Sequence, residues 1–185
     1  MRKPKGYEEA KAFTEGTPLP AGGYVLEILN VEYSENPWND GTDEIRLAFD
    51  ICEGEFAGYY KQKFNKAKEN SEDAKWKGNT KIRVPADDLP ADQQWKLRRF
   101  KTDIIMFEDS NEGFHWDWDE QKLKGLKIGG LFAEDEYLGH TYAKLVRFTT
   151  VDNIRDGNFT IPEFKKKESL PTIPSTPAVE DDFPF

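Results

Sequence analysis

Ile45, Leu47, Phe49 and Ile51 alternate with Glu44, Arg46, Ala48 and Asp50, the most regular hydrophobic pattern in the chain. A period of two is that of an extended strand with one buried and one wet face. Upstream, from Gly23, the run Tyr24, Val25, Leu26, Glu27, Ile28, Leu29, Asn30, Val31, Glu32, Tyr33 is rich in aliphatic and aromatic residues. It ends at the breakers Ser34, Glu35, Asn36 and Pro37, and predicts a first strand. A loop through Trp38, Asn39, Asp40 and Gly41 joins the two. After a turn at Glu53, Gly54 and Glu55, Tyr60 and Phe64 alternate with Tyr59, Lys61 and Lys63, which predicts a third strand over 59–64 whose outer face is basic and aromatic.

The stretch 65–78 has no sustained period and reads as a long loop or an extended ribbon, the kind of connection that is usually functional in a compact domain. Leu97, Phe100, Ile104 and Phe107 then follow spacings of three, four and three behind an acidic, proline-containing start at Asp87, Asp88, Leu89 and Pro90. They predict one amphipathic helix over 90–108. A loop of acids and tryptophans leads to Leu126, Ile128, Leu131 and Phe132, a fourth strand in which Gly129 and Gly130 suggest a bulge or sharp bend. Tyr142, Lys144, Val146 and Phe148 alternate with Ala143, Leu145 and Arg147 to give a fifth.

Three strands, a helix and two strands describe a mainly β chain: a five-stranded oligonucleotide-binding barrel with its helix between strands three and four. The expected organisation is an N-terminal arm over 1–19, the barrel domain over 20–165, and a tail over 166–185. The tail holds Pro171, Pro174, Pro177 and Pro184 and few core-forming residues, so it is expected to be disordered.

Composition changes this picture in two ways. The 185 residues carry a net charge of −9, against nucleic acid as a partner, yet 59–83 holds eight basic residues and three acidic ones. A local basic field steers anions whatever the total charge. The single Cys52 cannot form an internal disulfide, no apolar stretch is long enough for a bilayer, and the N-terminus lacks the apolar segment of a signal peptide. A cytoplasmic protein without membrane contact is expected.

Two groups of residues carry candidate chemistry. The first interleaves cations and rings: Tyr59, Lys61, Lys63, Lys66 and Lys68, then Lys75, Trp76, Lys77, Lys81 and Arg83, with Trp38 and Arg46 on neighbouring elements. Cations follow phosphates, and ring faces stack on unpaired bases without demanding a sequence. The second is the C-terminal tip, Glu180, Asp181, Asp182, Phe183, Pro184 and Phe185. An aromatic ring for an apolar pocket, a terminal carboxylate for a partner's Arg or Lys, and acids for a basic rim make a compact docking ligand.

The tip resembles that of bacterial and phage single-stranded DNA-binding proteins. A wider likeness over about 20–148 rests on Pro20, Ala21, Gly22, Gly23 and Tyr24 opening strand one, on the alternation over 45–51 followed by Glu53, Gly54, Glu55, Phe56, Ala57 and Gly58, and on the late helix. In these features the chain resembles the single-stranded DNA-binding proteins of bacteriophages and prophages. The resemblance implies sequence-tolerant protection of single-stranded DNA in replication, recombination and repair, in a bacterial or phage-infected cell. It also implies recruitment of replication and recombination proteins through the tail.

Two other readings stay open: a protein-interaction adaptor, and a metal-dependent nuclease built on His115, Asp117, Asp119 and Glu120, or on Asp87 and Asp88. Neither carboxylate group has the spacing of a metal-ligand set, and there is no phosphate-cradling glycine loop or nucleophile with its base. No enzyme activity, cofactor or metal is therefore expected, and a homo-oligomer is left open.

Overall fold

The computed structural model describes residues 18–161 apart from 138 and 139. The expected arm, but for its last two residues, and the expected tail lie outside the described residues.

Strand β1 (Gly22–Ser34) buries Leu26 and Ile28, and then Val31, three residues on. A register shift between Ile28 and Asn30 makes Leu29 an extra residue, so the inward face changes parity there. Strand β2 (Asp43–Ile51) buries Ile45, Leu47, Phe49 and Ile51, as the alternation requires.

The next element is a correction. Residues 59–64 are not a strand but the start of helix α1 (Tyr59–Asn70), and the third strand, β3, is Asn79–Val84. Tyr60 and Phe64 are four residues apart, a spacing that satisfies a helix as well as a strand. The helix holds no β-branched residue, glycine or proline to oppose it. Its start is fixed by Gly58, at φ 76°, and by the Asp50 carboxylate, which accepts the backbone N–H groups of Tyr60 at 2.9 Å and Lys61 at 3.1 Å. An aspartate on β2 thus does the work of an N-cap.

A 3-10 turn over Ala91–Gln93 leads into helix α2 (Gln94–Ser110), which packs on β3, β4 and β5. It buries Phe100, Asp103, Ile104 and Phe107, whereas Leu97, expected on the same face, is 47% exposed. Strands β4 (Lys127–Tyr137) and β5 (His140–Thr149) follow, then a short helix α3 (Val151–Arg155).

The expected bend at Gly129 and Gly130 has a different basis, close approach. A Cβ at Gly129 would lie 2.6 Å from the Thr150 carbonyl oxygen, and one at Gly130 2.6 Å from Leu26 Cδ1. The register shift in this hairpin comes one step later, between Leu131 and Phe132.

The strands form one antiparallel sheet in the order β3-β2-β1-β4-β5. It curls into a nearly closed barrel with the long helix between strands three and four, the oligonucleotide-binding fold. Its interior is filled by Leu26, Ile28, Ile45, Leu47, Ile51, Ile82, Ile128 and Phe132 around Phe49, whose ring meets Tyr60 and Phe132 edge-on at 5.4 and 6.2 Å. Each such side chain contributes about 1.5–3 kcal/mol of burial. No helix among the described residues is long and apolar enough to cross a membrane.

Candidate nucleic-acid interface

Because inward residues of β2 are odd-numbered, even-numbered ones share the outer face. Register sets them in rows: Glu32, Arg46 and Lys81 across β1, β2 and β3, then Asn30, Ala48 and Asn79. These rows floor a cleft of about 900 Å³, walled by Tyr59, Tyr60 and Lys63 of α1, by Trp76 and Lys77, and by Tyr142 and Lys144 of β5.

The α1 wall is held by the Asp50 contacts and by Tyr59, whose hydroxyl accepts the Leu19 backbone N–H at 2.9 Å. Lys63 Nζ stands 4.6 Å above the Tyr59 ring, where the π face attracts a cation. The segment after the helix lies flush on β2: Phe49 donates its backbone N–H to the Gly78 carbonyl at 2.7 Å, and a Cβ at Gly78 would stand 2.3 Å from Phe49 O. That contact fixes Trp76 and Lys77 beside the floor. The Trp76 indole N–H is shared between the carbonyls of Gly78 at 2.9 Å and Phe49 at 3.2 Å, and its ring rests on Phe64 at 5.5 Å.

Next to the floor, one carboxylate gathers three side chains. Glu44 accepts from Arg46 Nη2 at 3.1 Å, from Lys81 Nζ at 3.1 Å and from Trp38 Nε1 at 3.4 Å, and Lys81 Nζ lies 5.0 Å over the Trp38 ring. Burial pushes the Glu44 carboxyl up, and the hydrogen bonds from Lys81, Arg46 and Trp38 more than reverse this, leaving it below its ordinary value.

The structure therefore brings Arg46, Tyr59, Lys63, Trp76, Lys77 and Lys81 to one cleft, with Trp38 adjoining through Lys81 and Glu44. Lys61 faces a second groove with Leu29, Phe64 and Trp76, and Lys66, Lys75 and Arg83 are exposed outside the cleft lining. Two rings differ from expectation. Tyr59 is only 4% exposed and belongs to the core, and Trp76 is half-buried with its N–H satisfied by the barrel.

Tyr142 and Lys144 of the cleft were not among the expected site residues. Their shared face was visible in the alternation of strand five, but that this strand borders the cleft follows from closure of the barrel. Counted over the lining, Arg46, Lys63, Lys77, Lys81 and Lys144 oppose one acid, Glu32.

No protein-family model and no curated protein matches this chain.

Of the carboxylates considered for a nuclease, those after His115 have structural partners. Asp117 pairs with Lys122, and Asp119 accepts the Gln121 backbone N–H at 3.1 Å, while His115, Asp87 and Asp88 are exposed. Among the described residues, no three His, Cys, Asp or Glu side chains stand together as ligands for a metal ion.

Proposed function

We propose that this protein binds single-stranded DNA without sequence preference, laying the strand along the cleft formed by β2 and β3 with α1 and β5. The observation that carries this reading is the lining: five cations to one acid, with rings beside them, in a chain of net charge −9. Such a reversal of charge at one concavity supplies phosphate contacts, and Trp38 and Tyr142, each about half exposed, offer ring faces for bases. The barrel supports the reading, since folds of this kind use the same face for oligonucleotides.

The setting would be DNA replication, recombination or repair, where strands are transiently unpaired. The tip Glu180, Asp181, Asp182, Phe183, Pro184 and Phe185 would recruit the proteins that act there.

The test is a titration of tryptophan fluorescence with oligothymidine, a duplex of the same length and the matching RNA at equal ionic strength. Binding to oligothymidine that weakens with salt, with the duplex bound much less well, is the expected result. Equal affinity for duplex and single strand would overturn the cleft reading, and no response to any of the three would favour the adaptor.

A further inference from the structure

We infer that Glu44 is a positioning residue of this cleft: it does not meet the strand, but sets Arg46, Lys81 and Trp38 to receive it. The inference rests on the binding reading above. The Glu44 side chain is 3% exposed, so a ligand has almost no surface of it to touch. It nevertheless lies on the outer face of β2, two residues from Arg46 and across the ladder from Arg83.

Three elements converge on its two oxygens. Oε1 accepts from Arg46 of β2, while Oε2 accepts from Lys81 of β3 and, more weakly, from the Trp38 indole of the β1–β2 loop. The same Lys81 ammonium caps the Trp38 ring. Each of the three partners stays about half exposed, so its outer side remains available to a phosphate or a base.

Two physical effects of Glu44 oppose each other. As a charge it cancels part of the field that attracts phosphate, so on Coulomb grounds its removal strengthens binding. As a scaffold it removes rotamer freedom from two long cations and an indole before the strand arrives, so its removal weakens binding. A buried carboxylate whose two oxygens are both taken up by half-exposed side chains at the edge of the cleft points to the second effect as the larger. Exposed cations without such a brace would pay their ordering entropy on binding.

The opposite signs make the test direct. Oligothymidine affinity is measured across a salt series for the wild type, Glu44→Ala, Glu44→Gln, Trp38→Phe and the Glu44→Ala, Trp38→Phe double variant. Glu44→Ala is expected to weaken binding about tenfold, the loss of roughly one immobilised side chain's worth of preorganisation, with the log-affinity against log-salt slope unchanged because every cation remains. Glu44→Gln keeps an acceptor of the same shape and should recover part of that loss. Trp38→Phe should cost less affinity in the Glu44→Ala background than in the wild type, the non-additivity of a shared network.

Affinity equal to or above the wild type in Glu44→Ala, or additive losses in the double variant, would overturn the inference and leave the binding reading standing. A wild type that does not bind oligothymidine would remove both. Should Glu44→Ala lose its fold by circular dichroism, Glu44→Gln alone and combined with Trp38→Phe decides by the same criteria.

Discussion

Lys63 and Lys77 enter the cleft from different parts of the chain, one from α1 above the Tyr59 ring, the other from the segment pressed onto β2 by Gly78. Neither is buried, so truncating either removes a charge and leaves the fold. Lys63→Ala or Lys77→Ala is expected to flatten the log-affinity against log-salt slope by about 0.7 per lost phosphate contact on a single strand. A salt series on folded protein checks this. Glu53 makes a different prediction. It accepts from Arg155 at 2.7 Å and from Lys127 at 3.0 Å, and these two partners hold its carboxyl down from 4.5 to about 2. A depressed carboxyl stabilises the fold in full above the unfolded value, near 4.5, and loses that contribution as pH falls toward 2. Glu53 is partly solvated, so the amount is at most about 1 kcal/mol. Denaturant midpoints of the wild type and Glu53→Gln should differ at pH 6 and converge toward pH 2, on the order of that range. At this scale charge and spacing singled out Arg46, Lys63, Lys77 and Lys81, but not Lys144, and they also pointed to Lys61, Lys66, Lys75 and Arg83, which lie outside the cleft lining. The role of Tyr59 was not legible: whether a ring stacks outward or joins the core depends on the element that carries it.

Helix α1 shows where element-level reading stops. Tyr60 and Phe64, four apart, fit both periods, and what selects the helix is a contact from elsewhere, the Asp50 carboxylate on its first N–H groups. No pattern within 59–64 contains that information. By contrast β2 and the long helix were legible because each repeats its period over enough residues to exclude the alternative, and β1 and β5 because their aliphatic and aromatic content outlasts the register shift that each strand meets. The third strand is six residues long and has a single fully buried side chain, Ile82, too little for a periodic signal. Since Asp50 serves as a tertiary cap, Asp50→Ala is expected to destabilise the protein by about 1–2 kcal/mol, read from the urea midpoint. It should also loosen the α1 wall, so oligothymidine affinity should fall although Asp50 is buried and does not line the cleft. A variant with unchanged midpoint and affinity would show that the helix needs no cap from β2.

For the whole molecule, the acidic total and the basic cleft are separate facts with separate consequences. The tip at Glu180, Asp181, Asp182, Phe183, Pro184 and Phe185 carries negative charge on the same chain as the basic cleft, and a tethered segment acts at a local concentration on the order of millimolar. Deleting these six residues is expected to keep or raise oligothymidine affinity while abolishing capture of replication and recombination proteins from lysate, with Phe185→Ala nearly reproducing the loss of capture. Equal capture by full-length, truncated and Phe185→Ala protein would sink the docking role. The cleft has a property that no single element possesses. Its cations come from β2, α1, the segment before β3, β3 itself and β5, so they are neighbours only while the barrel is closed. An unfolded chain keeps the basic run over 59–83 but loses Arg46 and Lys144 beside it and the shape of the cleft, so a strand bound as proposed would favour the native state. By mass action, oligonucleotide at a hundred times its dissociation constant should raise the unfolding free energy by about 2.7 kcal/mol, with Tm climbing logarithmically as more is added. Thermal melts over an oligothymidine series measure this. A Tm that ignores the strand would mean that what binds it survives unfolding, as a flexible basic segment does and a closed barrel does not.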